Sequence, residues 1–405
     1  MGTRSKSEPN GNIAQIIASV QEWVRHHPAG EGAARLEQWL AQRERKEEAE
    51  PLIDVFAWIG QTPALRPLGL SLLDTFHRMT LCEIMQIAGR RMVFPLIGVV
   101  AARLNNTRLK DNLLNADVAL QSLSYATKLL ETEFAFCSMP DTSAFAESYG
   151  CTVKMPEDGS ALITKHVIDN LEDLKRIEKS GPVQLGRMGS TFHLITEMVS
   201  RFTLIRGALD GGPFSLAAIL GGVESVSRKI IREPAFVERL VQFCTNVSIM
   251  FAQSMVSAGV DAIILGDPTA GLLSPKQYEK FAGPYVKQVV DSVEVPVILH
   301  VCGKTSHIIE QMCATGVQGI SLDTPVDFPA IVSRVPKDVA IIGNLDPVGT
   351  VLNGTPEQAA AATKQLLDSM RDVPNYMFST GCELPLETPL ENIQAMIAAV
   401  KAERR

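Results

Sequence analysis

Hydrophobic positions along the chain change from helical spacing near the N-terminus to short, strand-like runs in the second half. The stretches IAQIIASVQEWV (13–24) and ARLEQWLAQRERKEEAE (34–50) place apolar residues three to four positions apart, and HHPAGEG (26–32) separates them. This spacing is typical of amphipathic helices. It predicts an N-terminal helical extension over residues 1–60, which serves as a cap or a docking surface, followed by a larger domain over residues 61–405.

From about residue 65, short apolar or β-branched runs alternate with longer helical patterns, as in βα units around a parallel sheet. Some eight such runs predict an α/β fold, a (β/α)8 TIM-like barrel, and an open doubly wound sheet is the alternative. The clearest runs are TLIRG (203–207), DAIILGD (261–267), PVILHVCG (296–303), GISLD (319–323), VAIIGN (339–344) and YMFSTG (376–381). Weaker candidates are MVFPLIG (92–98), EFAFCSMP (133–140) and PVQLGRMG (182–189).

Polar residues follow five of these runs. In a barrel the carboxyl ends of all strands converge on one face, which carries the active site. We therefore expect these polar side chains to lie at one mouth of the barrel. They are Asp267, then His300 and Cys302, then Asp323, then Asn344 and Asp346, and finally Cys382 and Glu383.

A histidine and two cysteines in this set have the chemistry of a metal site. His300 and Cys302 are alternate residues of one predicted strand, so their side chains point to the same side. Cys382 follows 80 residues later, at the end of the last strand. One imidazole and two thiolates favour zinc over magnesium or calcium, and three protein ligands leave a fourth position for a substrate. The alternative interpretation is an ordinary core histidine beside core cysteines, as we expect for the cysteines at 82, 137, 151, 244 and 313.

Charge and cysteine usage narrow the function classes. The 405 residues include 38 basic and 45 acidic side chains, giving a net charge of −7, which disfavours a nucleic-acid partner. No apolar run is long enough to span a membrane, and the opening MGTRSKSEPNGN lacks the apolar stretch of a secretory signal. Seven scattered cysteines fit a reduced, cytoplasmic protein better than a disulfide framework.

Several segments resemble the uroporphyrinogen decarboxylase superfamily. They are FAESYGCTVKMPEDG (145–159), GPFSLAAIL (212–220), GDPTAGLLSPKQYEKFAGPYVKQVV (266–290), HVCGKTSHIIEQMCATGVQGISLD (300–323), IIGNLDPVGTVLNGTPEQ (341–358) and FSTGCELPLETPLENIQAMIAAV (378–400). The His-x-Cys pair with a late cysteine is similar to the methylcobamide:coenzyme M methyltransferase branch and related corrinoid-dependent methyltransferases.

This resemblance implies a zinc-dependent enzyme that activates a thiol or folate acceptor, such as coenzyme M or tetrahydrofolate. A separate corrinoid protein would present the methyl group on its methylcobamide; no D-x-H-x-x-G cobalamin-binding pattern occurs in this chain. His300, Cys302 and Cys382 match the zinc ligands of the family and would be the catalytic centre. The resemblance further implies a fourth ligand, for which Glu147 is the candidate. It also implies that Asp267, Asn344 and Asp346 line the cavity that binds the cofactor, with Asn344 orienting the His300 ring or a substrate group.

Two other enzymatic functions remain open at this point. The chain could transfer a methyl group from a small donor to a corrinoid protein, so that the corrinoid is the acceptor instead of the donor. It could also decarboxylate uroporphyrinogen, which requires cations around a polyanionic tetrapyrrole. Only Arg90 and Arg91, in AGRRMVF (88–94), partly resemble the arginine-rich segment of the decarboxylases. A non-catalytic zinc barrel is the structural alternative, and polar groups after five strands argue against it.

Overall fold

The centre of the computed structural model, which describes residues 9–45, 48–137, 142–157 and 159–403, is a parallel β-barrel. Seven strands form one sheet in the order β1-β4-β5-β6-β7-β8-β9, and β2 pairs antiparallel with β3 outside it. The described strands are β1 (Phe134–Cys137), β2 (Thr152–Lys154), β3 (Leu162–Lys165), β4 (Ile205–Gly211), β5 (Ala262–Gly266), β6 (Val297–Val301), β7 (Gly319–Leu322), β8 (Ala340–Leu345) and β9 (Tyr376–Thr380).

A short extended segment around Val93, which is the first barrel segment along the chain, completes the barrel between β9 and β1. Val93 forms a parallel bridge with Phe378 of β9, and the Phe94 amide donates to the Phe378 carbonyl at 2.9 Å. On its other side, the Phe94 ring contacts the rings of Phe134 and Phe136 in β1, at centroid distances of 5.0 and 5.1 Å. The strands follow one another in sequence order without a switch point, so the predicted (β/α)8 TIM-like barrel is confirmed and the open doubly wound sheet is wrong.

Alternate residues of the strands face two different cores. Ile264 and Ile298, which are neighbours in register, belong to a cluster inside the barrel. Leu265 and Leu299, one position later, pack against the surrounding helices. Because side chains alternate along a strand, His300 shares the inward direction of Ile298.

Twenty helices surround and close the barrel in the described residues. They are α1 (Pro9–His26), α2 (Ala33–Glu44), α3 (Leu52–Gln61), α4 (Arg66–Phe76), α5 (Leu81–Ile87), α6 (Gly98–Leu104), α7 (Leu109–Leu114), α8 (Ala116–Leu130), α9 (Thr142–Ser148), α10 (Leu171–Ser180), α11 (Gly186–Arg201), α12 (Pro213–Gly221), α13 (Val223–Arg232), α14 (Pro234–Ala258), α15 (Pro275–Phe281), α16 (Gly283–Asp291), α17 (Ile309–Cys313), α18 (Phe328–Ile331), α19 (Pro356–Ser369) and α20 (Leu390–Lys401). None of them combines the length and the apolar content needed to cross a lipid bilayer.

Both helices predicted in the N-terminal extension form, as α1 and α2, and they pack with α3–α5 in one apolar cluster. That cluster continues into the interior of the barrel through Phe136 and Ile342. A buried ion pair joins the two parts: Arg90 donates to Asp54 of α3 at 2.6 Å and to Glu133, next to β1, at 2.8 Å. The division at residue 60 stays a prediction; helix α3 runs across it.

Two local predictions differ from the structure. PVQLGRMG (182–189) is not a strand: α11 begins at Gly186, and its buried residues Met188, Leu194 and Met198 recur at helical spacing. The β2–β3 pair was not predicted, because most of its side chains are exposed and it lacks a continuous apolar run. The end of EFAFCSMP, residues 138–140, lies outside the described residues.

Candidate metal centre

Three side chains with soft donor atoms meet at the mouth of the barrel. His300 lies on β6, Cys302 directly follows that strand, and Cys382 follows β9. The His300 Nε2 lies 3.0 Å from the Cys302 Sγ and 3.9 Å from the Cys382 Sγ. The two sulfurs are 3.5 Å apart, and both cysteines are free thiols.

These separations suit a zinc ion. Zn–S bonds of about 2.3 Å and Zn–N bonds of about 2.0 Å place the ligand atoms of a tetrahedral site roughly 3.5–3.8 Å apart. The three donor atoms here lie within 4.8 Å of one another. Two sulfurs and one imidazole nitrogen are also the donor set that selects zinc over magnesium or calcium. The residues present therefore fit this metal both in chemistry and in spacing.

The orientation of the His300 ring is set by a neighbouring strand. Ser321 of β7 lies opposite His300 in the sheet register, and its hydroxyl is 2.9 Å from His300 Nδ1. Ser321 is buried, with 1% of its surface exposed. This contact orients the ring so that Nε2 points toward the two sulfurs.

Asp323 ties together the two loops that carry the cysteines. One carboxylate oxygen accepts from the Gly303 amide at 2.8 Å, and the other accepts from the Thr324 amide at 2.7 Å. Gly381 packs against the same corner so closely that a Cβ there would lie 2.6 Å from the Thr324 nitrogen. Gly303 and Gly381 each adjoin one cysteine, so this corner sets the separation of the two sulfurs.

The environment separates the paired thiols from the other cysteines. A hydrogen bond from the Cys302 thiol, together with His300, lowers the pKa of Cys382 to about 4, while the same pairing raises the pKa of Cys302. Burial raises the pKa of Cys151 to about 11 and that of Cys313 to about 12. Neither of these two cysteines belongs to the group of three donors, so both are assigned to packing.

Glu147, the predicted fourth ligand, does not belong to the group of three donors. It lies on α9, where its Oε2 accepts from Arg187 Nε at 2.8 Å. Arg187 is itself buried and also donates to the Ser143 hydroxyl at 2.8 Å. The guanidinium of Arg187 pairs with the Glu147 carboxylate without a metal. The position of Glu147 along the chain could not show this partner, which lies 40 residues away.

Asp267 is wholly buried instead of lining an open cavity. Its Oδ1 accepts from the Ser215 amide at 2.7 Å, in the first turn of α12, and burial raises its pKa to about 6. Its own amide donates to the His300 carbonyl at 2.9 Å. Asp267 therefore links the β6 backbone to the start of a neighbouring helix.

Asn344 and Asp346 also bind backbone in this structure. The Asn344 amide nitrogen donates to the carbonyls of Asp323 and Val326, at 3.2 and 2.7 Å. Asp346 caps the π-helical turn Pro347–Leu352 by accepting two amides at 2.9 Å. Asn344 was predicted to orient the His300 ring or a substrate group. In this structure Ser321 makes the contact to the ring, and the substrate role of Asn344 stays a prediction.

Two polar residues at this end of the barrel were not predicted from the sequence, whereas Asp323 was expected at the mouth. Ser321 stands in GISLD, where only the strand and its terminal aspartate gave a signal. The other is Asp210 on β4, which is bonded to the Ser248 hydroxyl at 2.9 Å and lines a cavity of about 40 Å³. Burial raises its pKa to about 8. It faces the helical layer, and only the alternation along β4 could have indicated it.

Comparison with known proteins places these features in a family. Residues 82–403 match the family model described as uroporphyrinogen decarboxylase (URO-D). The methylcobamide:CoM methyltransferase MtbA of Methanosarcina acetivorans is 36% identical over 270 residues, which cover 64% of this chain and 77% of that protein. A uroporphyrinogen decarboxylase of Prochlorococcus marinus is 30% identical over 244 residues, covering 57% of this chain and 69% of that protein.

A solved structure agrees with the architecture. The methyltransferase from Methanosarcina mazei superposes with a TM-score of 0.69 at 21% identity, covering 79% of this chain and 96% of that one, which supports the barrel fold. The family match begins within α5, so α1–α4 lie outside it. Because the match extends over most of the sequence, this chain belongs to the uroporphyrinogen decarboxylase family of enzymes, as its motifs predicted.

Proposed function

We propose that this protein transfers a methyl group between a methylcobamide, carried by a separate corrinoid protein, and a thiol acceptor such as coenzyme M. A folate such as tetrahydrofolate is the second acceptor to test. The observation that carries the proposal is the convergence of His300, Cys302 and Cys382 at the barrel mouth, in a chain similar to a methylcobamide:CoM methyltransferase.

In this proposal, His300, Cys302 and Cys382 hold a zinc ion. A bound zinc ion supplies the acidity that converts a coordinated thiol into a nucleophilic thiolate at neutral pH. With Nε2 bound to the metal, Nδ1 would carry the ring proton and donate it to the Ser321 hydroxyl. Both cysteines are only partly buried, so a methyl group presented by a partner at the mouth has access to the centre. The thiols also require a reducing compartment, for which we propose the cytoplasm.

The remaining predicted site residues take more limited parts. Glu147 stays our candidate for a fourth ligand, and that role requires it to leave Arg187. Asp267, Asn344 and Asp346 are proposed to shape the cofactor cavity through the backbone segments they bind, because their polar atoms are engaged there.

Uroporphyrinogen decarboxylation is disfavoured by the positions of the two arginines. Arg90 and Arg91 precede the first barrel segment, so they lie at the end opposite to the cysteines, and both are buried. Arg90 is bonded to Asp54 and Glu133. Arg91 donates to four backbone carbonyls, those of residues 370, 371, 373 and 376. Neither guanidinium is available to a tetrapyrrole at the mouth.

Metal analysis and a methyl-transfer assay test the proposal together. The purified protein should contain close to one zinc per chain and should demethylate methylcobalamin in the presence of a thiol, as read from the cobalamin spectrum. Cys302→Ala and Cys382→Ala should each lose both zinc and transfer. Cys313→Ala is the matched control, because Cys313 lies in α17 and is outside the group of three donors.

Distinct outcomes would contradict separate parts of the proposal. Full activity in metal-free protein would contradict the requirement for zinc. Equal losses of zinc and methyl transfer in all three cysteine variants would contradict the assignment of Cys302 and Cys382 as ligands. Methylation of reduced cobalamin by a small donor, with no transfer to thiols or folates, would establish the donor-side alternative.

A further inference from the structure

Positive charge is scarce at the mouth of the barrel. Among the described residues within four positions after each barrel segment, a single lysine or arginine is present, Lys304, in VCGKTSH. The same described positions include four acidic residues: Asp267, Asp323, Asp346 and Glu383. An anionic ligand entering this face therefore meets one nearby cation among several carboxylates.

The backbone places Lys304 close to the candidate metal centre. It follows Cys302 by two residues, so their Cα atoms are at most about 7.6 Å apart. Gly303 between them adopts the left-handed conformation, with φ of 83°, and its amide is held by Asp323. A Cβ at Gly303 would meet no atom within 4 Å, so this turn faces open space.

Lys304 is exposed and forms no side-chain hydrogen bond or ion pair with any residue that the structure describes. The neighbouring carboxylates are bound to backbone amides instead: Asp323 to Gly303 and Thr324, and Asp346 to residues 348 and 349. Other cations of this region are paired, as Arg187 is with Glu147. The ammonium group of Lys304 is therefore available to a ligand.

We propose that Lys304 is the specificity residue that binds the anionic group of the methyl acceptor. It would select a short thiol that bears a sulfonate or carboxylate about two carbons from its sulfur. This inference rests on the proposed function, in which that sulfur occupies the fourth position beside Cys302. Two cysteine thiolates already neutralise a divalent ion, so an acceptor thiolate with an anionic tail adds charge that a cation must offset. The carboxylates of a folate lie at the far end of that molecule from its reactive nitrogen, beyond this short reach.

Paired thiols of equal length test this inference. We would measure the binding of 2-mercaptoethanesulfonate and 2-mercaptoethanol to the zinc-loaded protein by calorimetry, and then kcat/KM for both with free methylcobalamin. Lys304→Gln should weaken binding of the sulfonate thiol by about tenfold or more, the usual effect of a charge-assisted hydrogen bond. The neutral thiol should change by less than about twofold in the same variant, within the scatter of surface substitutions.

Charge-matched variants sharpen the test. Lys304→Arg should retain the preference for the sulfonate, whereas Lys304→Glu should shift it toward cysteamine, the cationic thiol of the same length. Lys276→Gln is the control, because Lys276 is an exposed lysine on α15 that also lacks a described side-chain partner. Its substitution should leave both thiols unaffected.

The outcomes distinguish the role of Lys304 from the proposed methyl transfer itself. Equal weakening of both thiols in Lys304→Gln, or an unchanged sulfonate preference, would overturn the role of Lys304 while leaving methyl transfer intact. An equal loss of kcat/KM with both thiols, at unchanged thiol binding, would assign Lys304 to the corrinoid and also overturn it. A wild-type protein that binds no thiol at all would contradict the proposed function, and the role of Lys304 with it.

Discussion

Replacing Gly381 by alanine perturbs the spacing of the two thiols without touching either cysteine. The added Cβ would lie 2.6 Å from both the Thr324 nitrogen and the Thr324 hydroxyl, and 2.9 Å from an Asp323 oxygen. Backbone atoms cannot rotate away as a flexible side chain can. Either Gly381 or the Asp323–Thr324 corner must therefore move. Cys382 adjoins Gly381, and the corner is hydrogen-bonded to the Gly303 amide beside Cys302.

The size of the effect follows from these distances. Restoring an ordinary contact of 3.4 Å to the Thr324 nitrogen requires a shift of about 0.8 Å. Overpacking of this kind typically costs about 1–3 kcal/mol. Disturbing the groups that support metal ligands typically weakens metal binding about 10- to 100-fold, and we expect the same range for zinc here. Methyl transfer should fall at least in proportion to the zinc that is lost.

Zinc affinity measured by competition with a chelator would check this, with urea unfolding of the metal-free protein as the measure of folding. Gly189→Ala in α11 is the control, since the nearest atom to a Cβ there is 3.8 Å away. We expect Gly189→Ala to bind zinc as the wild type does. Wild-type zinc affinity in Gly381→Ala would refute the reasoning that this corner sets the separation of the sulfurs.

Two further predictions concern buried polar groups. Ser321→Ala should lower zinc affinity about 10- to 100-fold, because His300 Nδ1 loses the hydrogen-bond partner that orients the ring; Ser321→Thr should restore most of it, and chelator competition measures both. Asp210→Asn tests a buried carboxyl whose pKa is raised to about 8, above an unfolded value of about 3.9. Folding then favours the protonated acid, so the wild type loses stability as pH rises from about 4 to 8, and the variant does not. The unfolding free energy of Asp210→Asn relative to the wild type should therefore increase with pH in urea titrations at pH 5 and 8; a constant difference would contradict the raised pKa.

The barrel could be predicted because its strands are buried on both faces. Continuous runs such as VAIIGN and PVILHVCG stand out against the amphipathic helices between them. The first segment was a weaker strand candidate in the sequence, and in the structure it is short, with a single bridge from Val93 to Phe378 of β9. The β2–β3 pair was missed because its exposed side chains carry no apolar periodicity.

The site divides in a similar way. His300, Cys302 and Cys382 were predictable because strand alternation and barrel closure bring them together whatever their surroundings. The partners of Glu147 and Asn344 were not, because a carboxylate or an amide at a strand end is equally suited to a ligand, a guanidinium or a backbone group. The three-dimensional structure is needed to tell which of these partners is present, because their positions differ by only a few ångströms.

The closure of the barrel also has a consequence for the order in which the protein matures during synthesis. Arg91 emerges early from the ribosome, yet its four carbonyl acceptors belong to residues 370–376. Cys382 lies two residues after the end of β9, the strand that pairs with the first segment. A nascent chain thus lacks the native partners of this guanidinium and one of the three metal donors until residues 370–382 have been translated, so metal capture is expected to coincide with ring closure.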